Sequence, residues 1–140
     1  MTSLTFPLPV AFYGSLMRGL GGVEEMGIAR GLRFVSECKI SGQLLDLGDY
    51  PGLLCGPGRV VGELFEVLQP ETLAALDHFE GFDAARPESS LYLRETTQLI
   101  SPQRLASVYR YNQTSEGYEK VRTGDWRTYL GQRELAQRDP

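Results

Sequence analysis

The chain has 140 residues, of which 41% are hydrophobic, and a formal net charge of −4 at pH 7. This length suits one domain with a substantial core, and the acidic balance argues against a nucleic-acid protein, whose affinity would need a basic surface. No apolar run reaches the roughly 18 residues that suggest a membrane span, and the first residues lack the charged and apolar regions of a signal peptide. We therefore expect a single cytoplasmic domain over residues 1–140, with no membrane or nucleic-acid partner.

Cysteine and histidine are too scarce for several kinds of site. Cys38 and Cys55 are too few for a disulfide framework, and we expect buried or free thiols. His78 is the one histidine of the sequence, so no ligand spacing for a metal is present, and we expect neither a metal nor a cofactor. The same scarcity leaves Ser15 without a second histidine to activate it as a nucleophile, because His78 should face solvent from its helix.

The first predicted strand, over residues 9–13, ends in a turn that contains glycine. The segment Gly14-Ser15-Leu16 follows the apolar run directly. Such a turn can present successive backbone N–H groups to an anion or to a developing oxyanion, although a tight turn leaving a core strand is the commoner fate. The spacing from Gly14 to Gly19 is that of a P-loop, but Leu20 stands where the lysine must be, so phosphate binding is weakly supported.

Coarse patterning predicts four more strands and a clear helix downstream. The strands lie near residues 32–47, 59–67, 91–100 and 105–112, and the helix lies at 70–80. Asp125 can cap a short C-terminal helix with Trp126, Tyr129 and Leu130 on one face. Residues 132–140 are polar, and we expect this tail to fray. The pattern as a whole predicts one mixed α/β (α+β) domain.

The helix at 70–80 carries a carboxylate on its apolar side. At 100° per residue, Glu80 falls between Leu73 and Leu76, and Gly81 is typical of a C-cap. Desolvation and the negative helix end both disfavour the charge of Glu80, so we predict that its pKa is raised. A raised pKa is what general acid–base catalysis near neutral pH needs. A glutamate at a helix end is more often solvated or ion-paired, so the helix alone does not establish catalysis.

Five motifs occur in a fixed order along the chain. They are Tyr13-Gly14-Ser15-Leu16, Leu47-Gly48-Asp49-Tyr50-Pro51-Gly52, Val61-Gly62-Glu63-Leu64-Phe65-Glu66-Val67, Leu76-Asp77 through Glu80-Gly81, and Tyr92-x-Arg94. Together they resemble the gamma-glutamylcyclotransferase-like superfamily, which includes AIG2-like proteins and gamma-glutamylamine cyclotransferases. The resemblance covers about residues 10–112. It implies a small, twisted, barrel-like mixed sheet with flanking helices, and an enzyme that cyclises a gamma-glutamyl amine or amino acid to 5-oxoproline.

The resemblance also implies roles for particular residues. Glu80 matches the catalytic glutamate, which would act as a general base and then as an acid. The N–H groups of Gly14, Ser15 and Leu16 match the substrate-binding loop. The resemblance thus implies a small gamma-glutamyl molecule as the partner of this site.

Several other side chains are candidates for the same pocket. Tyr13, Tyr92 and Tyr111 are candidate walls or hydroxyl donors, with core or rim aromatics as an equally weighted alternative. Arg94 could neutralise a substrate carboxylate, although a salt bridge on the strand surface is the more usual role. Arg18 is a second candidate cation, unless its loop turns it outward.

The sequence leaves two questions open: which amine is released, and whether the domain is catalytic. The polar loop over residues 82–91 can roof the pocket, but its composition fits many amines. Met17-Arg18 lacks the tryptophan usual in the glutathione-specific branch, which mildly disfavours glutathione. A non-catalytic module of the same fold is the alternative function, with Glu80 holding a ligand ammonium group. A purely structural domain is the third reading.

Overall fold

The computed structural model describes residues 4–138, which form a six-stranded mixed sheet with three α-helices. The strands are β1 (Leu8–Phe12), β2 (Leu32–Asp46), β3 (Pro51–Val67), β4 (Tyr92–Gln98), β5 (Leu105–Tyr111) and β6 (Lys120–Val121). The helices are α1 (Gly22–Met26), α2 (Pro70–Phe79) and α3 (Trp126–Arg138), with short 3₁₀ turns at Ala29–Gly31 and Pro87–Ser89. None of the helices described is long and apolar enough to cross a membrane.

The sheet has the strand order β4-β5-β1-β3-β2-β6, which places β1 near its middle. Strand β1 is antiparallel to β3 and parallel to β5. Residues Val10, Ala11 and Phe12 are all buried, as expected of a strand covered on both faces. The turn that leaves β1 therefore emerges between two neighbouring strands, β3 and β5, rather than at an edge of the sheet.

The long hairpin of β2 and β3 curls the sheet. Its register shifts between Phe34 and Ser36 and again between Ser41 and Gln43, and such irregularities bend and twist a strand pair. The Lys39 N–H also donates to the Ser101 carbonyl oxygen at 2.8 Å, which joins the β4–β5 connection to β2 from the far side of the sheet. The predicted twisted, barrel-like mixed sheet with flanking helices is confirmed.

Some predicted boundaries are wrong. Strand β3 begins at Pro51 rather than near residue 59, because pairing with β2 resumes at Leu54 beyond an irregularity in which residues 55–58 have no partner in the ladder. Helix α3 continues to Arg138 through the polar residues that were expected to fray from residue 132, and residues 139–140 lie outside the described part. Arg133 contacts the sheet from this segment, since its guanidinium donates to the Gly48 carbonyl oxygen at 2.8 Å. Helix α1 and strand β6 were not predicted.

Other local predictions are confirmed. The Asp125 carboxylate accepts the N–H groups of Arg127 and Thr128, and so caps α3. His78 is exposed, Cys38 is buried and Cys55 is exposed, with both thiols free. The apolar face of α2 packs through Leu73 and Leu76, which fixes the end of α2 against the sheet.

Two leucines in helices provide a matched test of this packing. Leu76 is fully buried on α2, whereas Leu135 on α3 is 66% exposed. We expect Leu76→Ala to lower the free energy of unfolding by about 2–5 kcal/mol, since it deletes buried methyl groups and leaves a cavity. Leu135→Ala should change it by less than about 0.5 kcal/mol. Urea unfolding of both variants checks this, and equal losses would contradict the packing described.

Candidate active site

A cavity of about 390 Å³ lies where the end of β1, the end of α2 and the start of β4 meet. Its lining residues come from several elements: Ala11, Phe12, Tyr13, Gly14, Ser15, Leu16, Glu25, Asp49, Tyr50, Pro51, Phe79, Glu80, Leu91, Tyr92 and Tyr109. The structure therefore brings Glu80 and the turn after β1 to one cavity. It is large enough for a small organic molecule.

The turn after β1 has backbone N–H groups that are not used within the protein. The Gly14 carbonyl oxygen accepts the Met17 N–H at 3.0 Å, and the Ser15 carbonyl oxygen accepts the Gly22 N–H at 2.9 Å. By contrast, the N–H groups of Gly14, Ser15 and Leu16 have no acceptor within residues 4–138. Successive unpaired N–H groups in a turn can bind an anion. Gly14 and Ser15 are partly exposed, Leu16 is buried and all three line the cavity, so this turn suits a bound anion.

The turn is compact because two stretches of backbone approach closely. A Cβ atom on Gly22 would lie 2.6 Å from the Ser15 carbonyl oxygen, which no side chain tolerates. Glycine at position 22 thus allows the start of α1 to close over the turn. Helix α1 then contributes Glu25 to the cavity.

Glu80 is the C-cap residue of α2 and is partly buried at the cavity. Its N–H donates to the Leu76 carbonyl oxygen at 2.9 Å, and Gly81 follows with a φ of +67°. The pKa of Glu80 is raised to about 7, first because burial disfavours the charged form and second because of the negative charge of Asp77. Within residues 4–138, its carboxyl group has no hydrogen-bond partner. The predicted direction of the pKa shift is confirmed.

Asp77 lies one helical turn before Glu80 and is held from two sides. Arg94 donates to its two carboxylate oxygens at 2.9 and 3.2 Å, and the Tyr109 hydroxyl donates at 2.6 Å. Arg94 therefore forms a salt bridge, which the sequence analysis gave as the more usual role of such an arginine. It does not line the cavity. Asp77 thus keeps a charge near Glu80 while its own oxygens are satisfied.

The three candidate tyrosines occupy different places. Tyr13 and Tyr92 line the cavity, and Tyr111 lies behind Tyr92, with ring centroids 5.8 Å apart. The Tyr13 hydroxyl donates to the Tyr109 carbonyl oxygen at 2.6 Å, and the Tyr92 hydroxyl donates to the Pro51 carbonyl oxygen at 2.6 Å. Burial raises the pKa of both hydroxyls. Tyr13 and Tyr92 are thus walls whose hydroxyl protons are already committed to the backbone.

Sequence reasoning missed several lining residues. Asp49, Tyr50 and Pro51 belong to a motif that carried the family resemblance, but no role was assigned to them. Glu25 was missed because α1 was not predicted, and Tyr109 because a strand aromatic carries no signal of its own. Of the described lining residues, Glu25, Asp49 and Glu80 are acidic, and none is lysine, arginine or histidine.

Comparison with known proteins assigns the family. A family profile described as "Gamma-glutamyl cyclotransferase, AIG2-like" matches residues 10–128. The chain belongs to the gamma-glutamyl cyclotransferase, AIG2-like family. A relative named gamma-glutamylcyclotransferase family protein YtfP, from Escherichia coli K12, is 33% identical over 115 residues, which cover 81% of this chain and 91% of the relative.

Solved structures of this family have the same fold. The solution NMR structure of ytfP from Escherichia coli is similar with a TM-score of 0.63 and 28% identity, covering 85% of this chain and 96% of that one. An AIG2-like protein from Mus musculus gives a TM-score of 0.61 and 25% identity, covering 78% of this chain and 80% of that chain. The sheet and its helices are therefore those of the gamma-glutamyl cyclotransferase, AIG2-like family.

The raised pKa of Glu80 predicts a pH-dependent effect on stability. Its pKa rises from the ordinary value of 4.5 to about 7 on folding, so between these values the folded state holds a proton that the unfolded state has lost. The cost of ionising Glu80 is thus absent below pH 4.5, grows through this window and is fully present above pH 7. Glu80→Gln should therefore stabilise the protein more at pH 8 than at pH 4.

Urea unfolding of the wild type and of Glu80→Gln at the two pH values measures this difference. Glu71→Gln is the matched control, because Glu71 is exposed in the first turn of the same helix. A stabilisation by Glu80→Gln that is the same at both pH values, or larger at the acidic one, would contradict a raised pKa.

Proposed function

We propose that this protein cyclises a gamma-glutamyl amine or amino acid to 5-oxoproline and releases the free amine. The observation that carries the proposal is the shared cavity. Glu80, whose carboxyl group has a pKa of about 7, lines the same space of about 390 Å³ as Gly14, Ser15 and Leu16, whose backbone N–H groups are unused among the described residues. Membership of the gamma-glutamyl cyclotransferase, AIG2-like family supports the same chemistry. The substrate would be a small molecule, met in the cytoplasm as the sequence predicted.

The substrate supplies its own nucleophile in this reaction. Its α-amino nitrogen attacks the γ-carbonyl carbon, a five-membered ring forms, and the bond from that carbon to the leaving nitrogen breaks. At neutral pH the α-amine is largely protonated, so a base must first take a proton from it. The leaving nitrogen must then gain a proton. In all, the attacking nitrogen goes from an ammonium group to the ring N–H and loses two protons, one before the attack and one as the ring closes. The leaving nitrogen takes one of them to depart as the free amine and the other to become an ammonium ion at neutral pH. The carboxylate of Glu80 can carry these protons one at a time from the attacking nitrogen to the leaving nitrogen, so that it returns to its starting state.

The N–H groups of Gly14, Ser15 and Leu16 would bind the negative parts of the substrate. None of the described lining residues is a cation, so the α-carboxylate or the developing oxyanion would depend on backbone donors. By analogy with other acyl-transfer sites, one oxyanion donor contributes about 3–4 kcal/mol to the lowering of the barrier. Holding the glutamyl chain in its ring-closing shape can contribute more. Tyr13 and Tyr92 would serve as the walls that enforce this shape.

Release of 5-oxoproline from a panel of gamma-glutamyl substrates tests the proposal. The panel would include gamma-glutamyl amines, gamma-glutamyl amino acids, a lysine isopeptide and glutathione. We expect the wild type and the control Glu71→Gln to release 5-oxoproline from at least one substrate. Glu80→Gln should lower kcat by about 10²–10⁴-fold, because it removes general acid–base catalysis. Binding of that substrate, measured by calorimetry, should change little.

Two outcomes would contradict this account. Turnover that survives Glu80→Gln would show that Glu80 does not transfer the proton. No turnover by the wild type on any substrate, combined with loss of ligand binding in Glu80→Gln, would favour the non-catalytic binding module, in which the carboxylate holds the ligand ammonium group.

A further inference from the structure

Arg18 lies in the loop after β1 (residues 14–21, the substrate loop). Its side chain is bound to Glu63 and does not line the cavity. Its backbone N–H donates to the Glu63 Oε1 at 2.7 Å, and its Nε and Nη2 atoms donate to Oε2 at 3.1 and 3.0 Å. The guanidinium group also lies over the Phe34 ring, 3.5 Å from its centroid. Arg18 therefore does not serve the cavity as a cation, and its contacts tie the loop to the sheet.

Glu63 is a buried carboxylate, with only 2% of its surface exposed. Removing such a charge from water is costly unless it is paired and hydrogen-bonded, and here three bonds from Arg18 meet that need. Glu63 lies on β3 directly opposite Phe12, the last residue of β1. The carboxylate thus sits beside the point where the substrate loop begins.

The C-terminal helix α3 also contacts Arg18. Arg127, in the first turn of α3, donates to the Arg18 carbonyl oxygen at 2.6 Å and lies 3.8 Å from the Glu63 carboxylate. The position of Arg127 is fixed in turn by the neighbouring Trp126, which is 1% exposed, and by the Asp125 cap. The N–H, the carbonyl group and the side chain of Arg18 are thus all held.

We propose that Glu63 and Arg127 are positioning residues that hold the N–H groups of Gly14, Ser15 and Leu16 in their ligand-binding arrangement. In this proposal, helix α3 helps to fix the conformation of the substrate loop. Such support matters because Gly19 and Gly21, in the same loop, have φ values of +81° and +94°, and glycine-rich backbone is costly to order. A loop that is ordered before binding loses less entropy when the ligand arrives.

This inference rests on the proposed function for the role of the loop, but its test does not depend on turnover. The variants are Glu63→Gln, Arg127→Ala and Arg127→Lys. Glu66→Gln is the matched control, since Glu66 lies on the same strand and its surface pair with Arg33, at 2.6 Å, is made apart from the loop. Amide hydrogen exchange of Met17 and Arg18 is the first readout, because their N–H groups donate to the Gly14 carbonyl oxygen at 3.0 Å and to the Glu63 carboxylate at 2.7 Å. KM and kcat for the best gamma-glutamyl substrate are the second.

We expect Glu63→Gln and Arg127→Ala to speed exchange at Met17 and Arg18 by about tenfold, because each removes a hydrogen bond that involves a charged group and so loosens the turn that protects these two N–H groups. KM should rise about tenfold with kcat within about twofold, since the loop must then be ordered by the substrate. Arg127→Lys should largely restore both values, because an ammonium group can still donate to the Arg18 carbonyl oxygen. Glu66→Gln should match the wild type.

Unchanged exchange at Met17 and Arg18 in both variants would overturn the inference, as would faster exchange spread evenly over the whole chain. If Glu63→Gln does not fold, Arg127→Ala still decides, because the Arg127 side chain is 46% exposed and its loss empties no core position. A wild type that releases no 5-oxoproline would count against the proposed function, and the exchange measurement would then decide this inference alone.

Discussion

The position of the turn after β1 is the constraint on which the site depends. Strand β1 runs between β3 and β5, so its end opens onto the middle of the sheet, where both neighbours can contribute side chains. Strand β3 carries Glu63 opposite Phe12, the last residue of β1. It is followed by α2, whose C-cap residue Glu80 lines the cavity. The order of the strands thus brings the turn with its unused N–H groups and the carboxyl-bearing Glu80 to one cavity.

Two glutamates in this region illustrate how environment separates the roles of one residue type. Glu63 is buried beside Arg18 and Arg127, where paired cations stabilise its charge and make it a fixed structural anchor. None of the described residues that line the cavity with Glu80 is a cation, and the negative charge of Asp77 raises the pKa of Glu80 further. The first carboxylate is suited to holding backbone in place. The second can gain and lose a proton near neutral pH, which is what the proposed reaction requires.

Local patterning predicted the elements that carry the site, but not the directions of the long side chains around it. The helical wheel placed Glu80 on the apolar face of α2, because helix periodicity fixes that direction from the sequence alone. Arg18 and Arg94 were uncertain candidates, since their directions depend on Glu63 and Asp77, which are 45 and 17 residues away in the chain. The direction of Arg133, in the polar segment of α3, depends likewise on the distant Asp46 and Gly48.

The pH dependence of kcat/KM, compared with the titration of Glu80 in the same protein, tests the central claim most directly. The side-chain carboxyl carbon of Glu80 can be followed by NMR, assigned through Glu80→Gln. If Glu80 is the general base, kcat/KM rises with pH through the pKa of Glu80, about 7, and this rise is absent from the residual activity of Glu80→Gln. A rise at a different pH from the NMR titration, or one that persists in Glu80→Gln, would contradict the account.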